Sequence, residues 1–235
     1  MLVAVAACPH PPMLVPAVAA GAAGELQHVR DACTTVIDRL AEARSDVICV
    51  VGAADSVRWY EAGDAGSFRP YGVALDVSLG RGAGRPPTMP LSLTVGAWLL
   101  HTASWDGRCA ALGVSPATGG PDLAELARRL VDLAPRVSLL VMGDGSARRS
   151  AKAPGYVDGR ATEFDRTVAS ALGSADPATL AGLSAGVGAD LMAAGTAPWR
   201  LLGRAGAGQA WQGQLLVECA PYGVGYFVAS WRRRQ

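Results

Sequence analysis

Short apolar runs alternate with amphipathic segments along most of the chain. The runs at 2–7, 47–51, 109–114 and 137–142 are too brief for helices and are typical of buried strands. Between the first two runs, apolar residues from 21 to 44 recur at three- and four-residue spacing, which predicts a helix that packs one face on a sheet. Strand, helix and strand in this order indicate a right-handed βαβ unit with parallel strands.

The later part of the chain continues the alternation and ends in a different pattern. Two apolar runs, 213–219 and 224–231, are separated by four residues, which favours an antiparallel hairpin. Further helices are predicted at 90–103, 121–133, 160–172 and within 177–203, with a short strand near 73–77. The sequence therefore predicts one α/β domain over residues 1–235, with a mixed, mostly parallel sheet flanked by helices and an antiparallel C-terminal hairpin.

Composition narrows the class of protein. Half of the residues are hydrophobic, 17% are charged, and no apolar stretch reaches the ~18 residues of a membrane span, so we expect a soluble globular protein without a membrane partner. The net charge of +1 predicts no nucleic-acid partner. We interpret the three arginines at 232–234 as a solubilising tail.

Cysteine usage bears on the compartment. The five cysteines are odd in number, widely scattered and form no Cys-x-x-Cys pair, which indicates reduced thiols and a cytoplasmic protein. Residues 5–8 are similar to a lipoprotein cleavage box. No charged region precedes them, however, and the apolar segment is shorter than the ~7 residues that a signal needs, so we interpret them as part of a strand.

The turn Pro9-His10-Pro11-Pro12 directly follows the first predicted strand. Ligands of open α/β sheets bind in the crevice beyond the carboxyl ends of strands, and prolines hold the backbone φ near −65°. A rigidly held imidazole in this place is a candidate metal ligand or acid/base. The alternative is a turn histidine whose polar atoms are satisfied by the backbone, and the local sequence leaves both open.

A second candidate turn, residues 143–149, follows the strand at 137–142 and is expected at the same edge of the sheet. Asp144 could orient a donor or bind a cation, Ser146 supplies a hydroxyl, and Arg148 or Arg149 could pair with a carboxylate. The alternative is a tight turn with solvated arginines. The glycine spacing matches neither a nucleophile elbow nor a phosphate loop. Glu218, at the end of a later strand, either faces solvent or enters the crevice as a ligand.

Several motifs together resemble a known family. The motifs run from end to end of the chain: Ala7-Cys8-Pro9-His10-Pro11-Pro12-Met13-Leu14-Val15-Pro16, Gly143-Asp144-Gly145-Ser146, Ala153-Pro154-Gly155-Tyr156, Glu163-Phe164-Asp165 and Ala220-Pro221-Tyr222-Gly223-Val224-Gly225-Tyr226. With these motifs the chain resembles the class III extradiol ring-cleavage dioxygenases of the LigB-like type. It looks most similar to an actinobacterial branch of uncharacterised proteins, and it also resembles the related Memo proteins.

The resemblance implies a non-haem Fe(II) enzyme with two histidines and one carboxylate on the metal, and a separate acid/base histidine. His10 matches the first ligand. The second ligand is expected just after the second strand, where the chain has Ala54 and Asp55, and the acid/base histidine is expected where the chain has Ala147. Glu218 is the nearest candidate for the carboxylate.

The histidine inventory argues against iron chemistry. The remaining histidines, His28 and His101, lie on predicted helices and do not replace the missing imidazoles. A set of His10, Asp55 and Glu218 would favour Mn or Mg over an oxygen-activating iron and would lack a histidine proton shuttle.

Three hypotheses follow. The first is a degenerate, non-catalytic dioxygenase-like protein with no cofactor that binds a small aromatic or anionic ligand among His10, Arg148 and Tyr222, with Asp55, Asp144 and Ser146 nearby. The second is an active enzyme that uses Fe(II) or another divalent metal with rearranged ligands. The third is a scaffold for a protein partner. The resemblance also implies that a homodimer is an option.

Overall fold

The computed structural model describes residues 1–82 and 84–234, and within them a seven-stranded sheet and a two-stranded sheet. The strands are β1 (Leu2–Cys8), β2 (Val47–Ala53), β3 (Arg58–Glu61), β4 (Ala65–Ser67), β5 (Asp76–Ser78), β6 (Cys109–Val114), β7 (Val137–Met142), β8 (Trp211–Cys219) and β9 (Tyr226–Arg233). The large sheet has the order β3-β6-β2-β7-β1-β9-β8, and β4 pairs with β5.

The four central strands of the large sheet are parallel. β6, β2, β7 and β1 run in one direction, β3 is antiparallel at one edge, and the β8–β9 hairpin is antiparallel at the other. The carboxyl ends of β1, β7, β2 and β6 therefore lie along one edge of the sheet, where α/β proteins bind ligands. This arrangement confirms the predicted fold class, including the C-terminal hairpin.

Helices cover both faces of the sheet. The α-helices are α1 (Pro16–Ala19), α2 (Gln27–Glu42), α3 (Leu91–Thr102), α4 (Gly120–Val131), α5 (Ala161–Ser174), α6 (Pro177–Ala181), α7 (Ala185–Asp190) and α8 (Thr196–Ala205), with 3₁₀ turns at Pro12–Leu14, Ala20–Leu26 and Arg69–Tyr71. Side chains of α2 and α3 pack in the core on one face, and side chains of α4, α5 and α8 pack on the other. Alternate residues of β1 point to the two cores, which explains why the whole strand is apolar.

The structure corrects some predicted boundaries. The first long helix begins at Gln27 instead of residue 21, because Ala20–Leu26 forms a 3₁₀ segment that contains the weak helix formers Gly21 and Gly24. The last strand extends to Arg233, so Arg232 and Arg233 belong to the sheet and not to a tail. β6 and β7 have the predicted bounds.

Two further observations bear on the predicted class. No helix within residues 1–82 and 84–234 is both long and apolar enough to cross a membrane. The five cysteines form no disulfide; four are buried, and Cys219 is half-buried.

Candidate functional site

Two turns leave the sheet side by side at the carboxyl ends of β1 and β7. Cys8 and Met142 are paired at the last position of the two strands, and the Gly143 N–H donates a hydrogen bond of 2.9 Å to the Cys8 carbonyl. This pairing brings the first turn, 9–12, against the second turn, 143–149. The two segments that the sequence singled out therefore form one site.

Within this site the carboxylate of Asp144 holds the backbone of His10. The His10 N–H donates a hydrogen bond of 2.8 Å to Asp144 Oδ1, and His10 Nδ1 lies 3.6 Å from the same oxygen. The longer distance is beyond normal hydrogen-bond range. Nδ1 is buried and has no hydrogen-bond partner among the described residues. The backbone of His10 is thus fixed, while one ring nitrogen is left available.

Burial dominates the electrostatics of Asp144. His10 is 7% exposed, and the side chain of Asp144 is 15% exposed. Burial raises the pKa of Asp144 above its ordinary value, while the His10 imidazole and the His10 N–H act in the opposite direction. Burial raises the pKa of the Tyr226 hydroxyl above its ordinary value, and the negative charge of nearby Asp144 raises it further. We call His10, Asp144 and Tyr226 the His10 rim.

On its other side, the second turn contacts the carboxylate of Asp165 in α5. Asp165 Oδ1 accepts a hydrogen bond of 2.8 Å from the Ser146 N–H, and Arg149 Nη1 lies 3.5 Å from Oδ2. The Gly145 N–H donates to the Gly225 carbonyl at 2.7 Å. A Cβ added at Gly145 would lie 2.6 Å from Asp165 Oδ1, so glycine is required for the close approach. Asp165 therefore supports the turn from beneath.

The pKa of Asp165 is strongly perturbed by its surroundings. The residue is fully buried, and burial raises its pKa to about 6, although the Ser146 N–H and Arg149 act to lower it and the charge of Glu218 adds slightly to the rise. The local sequence predicts no individual role for Asp165. A carboxylate on the apolar face of α5, beside Phe164 and Val168, is the signal that would have identified it.

Ser146 and Ala147 tie the second turn to the segment that contains Leu191. The buried Ser146 hydroxyl donates to the Leu191 carbonyl and accepts from the Arg148 N–H, both at 3.1 Å. Ala147 is buried and contributes only backbone hydrogen bonds at 3.0 Å, to Leu191 and from Gly155. The Arg148 side chain lies against Gly155, and its buried Nε has no partner among the described residues.

The other predicted site residues are more dispersed. Asp55 is exposed in the turn after β2, and Glu218 is exposed on the edge strand β8. The Tyr222 hydroxyl donates a hydrogen bond of 2.7 Å to Glu25, and burial together with Glu25 raises the pKa of Tyr222 to about 12. This contact joins the hairpin turn to the 3₁₀ segment before α2.

These positions test the fit to a two-histidine, one-carboxylate iron site. His28 is exposed on α2, and His101, at the end of α3, donates to the Ser78 carbonyl at 2.7 Å. In residues 1–82 and 84–234, no group of three or more His, Cys, Asp or Glu side chains is arranged to hold a metal ion. The donor set around His10 does not match that site.

Comparisons with known proteins define the fold and nothing finer. No protein-family model matches the chain, and no curated protein sequence matches it. The fold is similar to a solved structure, the uncharacterized protein JW3007 from Escherichia coli K12, with a TM-score of 0.56 and 15% sequence identity. The match covers 98% of this chain and 99% of the bacterial protein. At this identity the likeness concerns the fold alone.

Proposed function

We propose that the chain is a class III extradiol dioxygenase-like protein that does not cleave aromatic rings and binds a small aromatic or anionic ligand at the His10 rim. The proposal rests on the burial of His10 and on its ring nitrogen without a hydrogen-bond partner among the described residues. The imidazole of His10 is buried at the carboxyl edge of the sheet with Nδ1 unpaired, while Asp55 and Ala147 stand where the family resemblance expects histidines.

Ring cleavage by this class of enzyme needs a specific set of donors. An oxygen-activating iron site of this type uses three protein ligands on one face and leaves open positions for substrate and oxygen. Asp55 and Glu218 are exposed in different elements, and Ala147 has no group that transfers a proton. These residues supply neither the ligand set nor the acid/base that iron chemistry needs.

Two buried polar atoms of the two turns have no hydrogen-bond partner among the described residues. A buried polar atom without a hydrogen bond costs about 1–3 kcal/mol, and a bound ligand offsets that cost by supplying the partner. His10 Nδ1 is such an atom at the rim, and Arg148 Nε is another in the adjoining turn. The rings of His10 and Tyr226 suit an aromatic ligand, while the carboxylate of Asp144 disfavours an anionic group beside it. An anionic substituent would therefore point toward Arg148.

A second candidate function has one observation in its favour. His10 and Asp144 place an imidazole and a carboxylate together, with Nδ1 3.6 Å from Oδ1, and these are two of the donor types that a divalent metal takes. An active enzyme with rearranged ligands would complete the site with its substrate. That hypothesis requires His10→Ala to abolish both bound metal and activity.

The experiment is a binding titration with two small probes, catechol and benzoate, followed by the shift in Tm. We expect a saturable rise in Tm with at least one probe, loss of the rise in His10→Ala, and its retention in His28→Ala, which removes an exposed histidine. If neither probe shifts the Tm, or if both variants retain the shift, ligand binding at this rim is overturned.

A further inference from the structure

A cavity of about 860 Å³ lies at the edge of the sheet opposite to the His10 rim. It is formed by the start of β1, the end of α2, the start of β8 and the end of β9. Its volume is in the range of small-molecule sites, which is about 300–1,000 Å³. We call it the amino-edge cavity. It shares no residue with the His10 rim.

The strand register explains why this part of the sheet is polar. Ala4 of β1 is paired with Arg232 of β9, and Arg232 is paired with Gln212 of β8. Two residues before Arg232 in β9, Ser230 is paired with Gln214 of β8. Residues two apart in a strand face the same side, so Gln212, Gln214, Ser230 and Arg232 form one polar surface. The small side chain of Ala4 leaves room above it.

Arg39 of α2 reaches over this surface. Its Nη1 donates to Gln214 Oε1 at 2.9 Å and to Ser230 Oγ at 2.7 Å. These acceptors are neutral, so they fix the orientation of the half-buried guanidinium without neutralising its charge. A partly desolvated charge without a counter-ion is unfavourable, and a bound anion would relieve it.

Arg232 and Arg136 of the lining have neutral partners as well. Arg232 Nε donates to Gln212 Oε1 at 3.0 Å, and Arg136 donates to the carbonyls of Arg44 and Ala43 at 3.0 and 2.7 Å. Within residues 1–82 and 84–234, no arginine that lines this cavity forms an ion pair with an acidic residue. Those arginines are Arg39, Arg136, Arg232, Arg233 and Arg234, and Glu42 is the one acidic residue of the lining.

Some exposed arginines on other surfaces have an acidic partner. Arg69 pairs with Asp76 at 3.2 Å, and Arg166 pairs with Glu163. Several positive charges around a concave site focus the potential and favour an anion, and guanidinium groups match phosphate oxygens with two parallel hydrogen bonds. From this geometry we infer that the amino-edge cavity binds a small, multiply charged oxyanion of the phosphate class, with Arg39 and Arg232 as its main ligands.

The test is a calorimetric titration with inorganic pyrophosphate at constant ionic strength. We expect saturable binding that weakens by about tenfold in Arg39→Gln and in Arg232→Gln, which corresponds to about 1.4 kcal/mol each. Arg166→Gln is the matched control, because it removes the same charge from an exposed position on α5, and we expect an unchanged affinity.

Each outcome decides the inference. Two variants are used because loss of Arg39 also removes its hydrogen bonds to β8 and β9, whereas Arg232 is exposed and we expect its replacement to leave the fold intact. Absence of saturable binding to the parent protein overturns the site. An equal loss of affinity in Arg166→Gln overturns it too, since only net charge would then matter. Binding of catechol or benzoate at the His10 rim has no bearing on either result.

Discussion

Asp144 Oδ1 accepts the backbone N–H of His10 at 2.8 Å, although the two residues are 134 positions apart in the chain. This hydrogen bond joins the turn after β1 to the turn after β7 and fixes the His10 backbone at the edge of the parallel strands. Two strands that are neighbours in the sheet but distant in sequence thus create the rim on which the proposed ligand site rests.

The first prediction concerns this hydrogen bond. We expect Asp144→Ala to lower the free energy of unfolding by about 1–3 kcal/mol, because the His10 N–H loses its acceptor. Asp144→Asn keeps an oxygen at that position and is expected to lose clearly less. Urea denaturation of the parent protein and both variants measures the difference. An equal loss in the two variants would show that the acceptor oxygen has no part in stability.

The second prediction concerns the pH dependence of stability. Burial raises the pKa of Asp165 to about 6 from an ordinary value of 3.8. The folded protein therefore binds the proton of the Asp165 carboxyl group more tightly than the unfolded chain does. The resulting stabilisation is complete below pH 3.8 and is lost as the pH rises through about 6.

The side chain introduced by Asp165→Asn does not titrate, so it stays neutral in the folded protein as the pH rises. We therefore expect the variant to gain stability relative to the parent protein between about pH 4 and pH 7, by roughly 1–3 kcal/mol. Thermal unfolding of both proteins across this range measures the gain. A difference in Tm that stays constant with pH would contradict the raised pKa.

The third prediction concerns the glycine above Asp165. A Cβ at Gly145 would lie 2.6 Å from Asp165 Oδ1 and 2.8 Å from the ring of Phe227, so Gly145→Ala should destabilise the fold by about 1–3 kcal/mol. Gly159→Ala is the control, because a Cβ at that position has no atom within 4 Å. We expect little change in its denaturation midpoint. Similar midpoints for the two variants would mean that the turn does not pack on Asp165 as described.

Much of the fold was predictable because both faces of the parallel strands are covered. Continuous apolar runs marked β6 and β7 to the residue, and the hairpin followed from two runs with a short connection. β3 and β4 were missed. β4 is Ala65–Ser67, which has no alternation to detect, and Gly66 is needed there because a Cβ would collide with Thr94. Such a constraint depends on a helix that is distant in sequence.

The site was only partly predictable, for a related reason. The chain position of His10 and Asp144 after two strands indicated a shared edge, and parallel pairing brings them together. The hydrogen bond from the Ser146 N–H to Asp165 forms because α5 packs against the second turn. The hydrogen bond from the Ser146 hydroxyl to the Leu191 carbonyl depends on another segment that is distant in sequence. Neither contact is encoded by local spacing, so sequence reasoning assigned Ser146 to ligand binding and gave Asp165 no role of its own.

The most direct test of the proposed function is metal content together with ring cleavage, measured on protein loaded anaerobically with Fe(II) and then given catechol and oxygen. The account predicts no stoichiometric iron and no ring-opened product, since Ala147 and the exposed Asp55 supply neither acid/base nor a second imidazole. Stoichiometric Fe(II) with catechol turnover, both lost in His10→Ala and kept in His28→Ala, would contradict it.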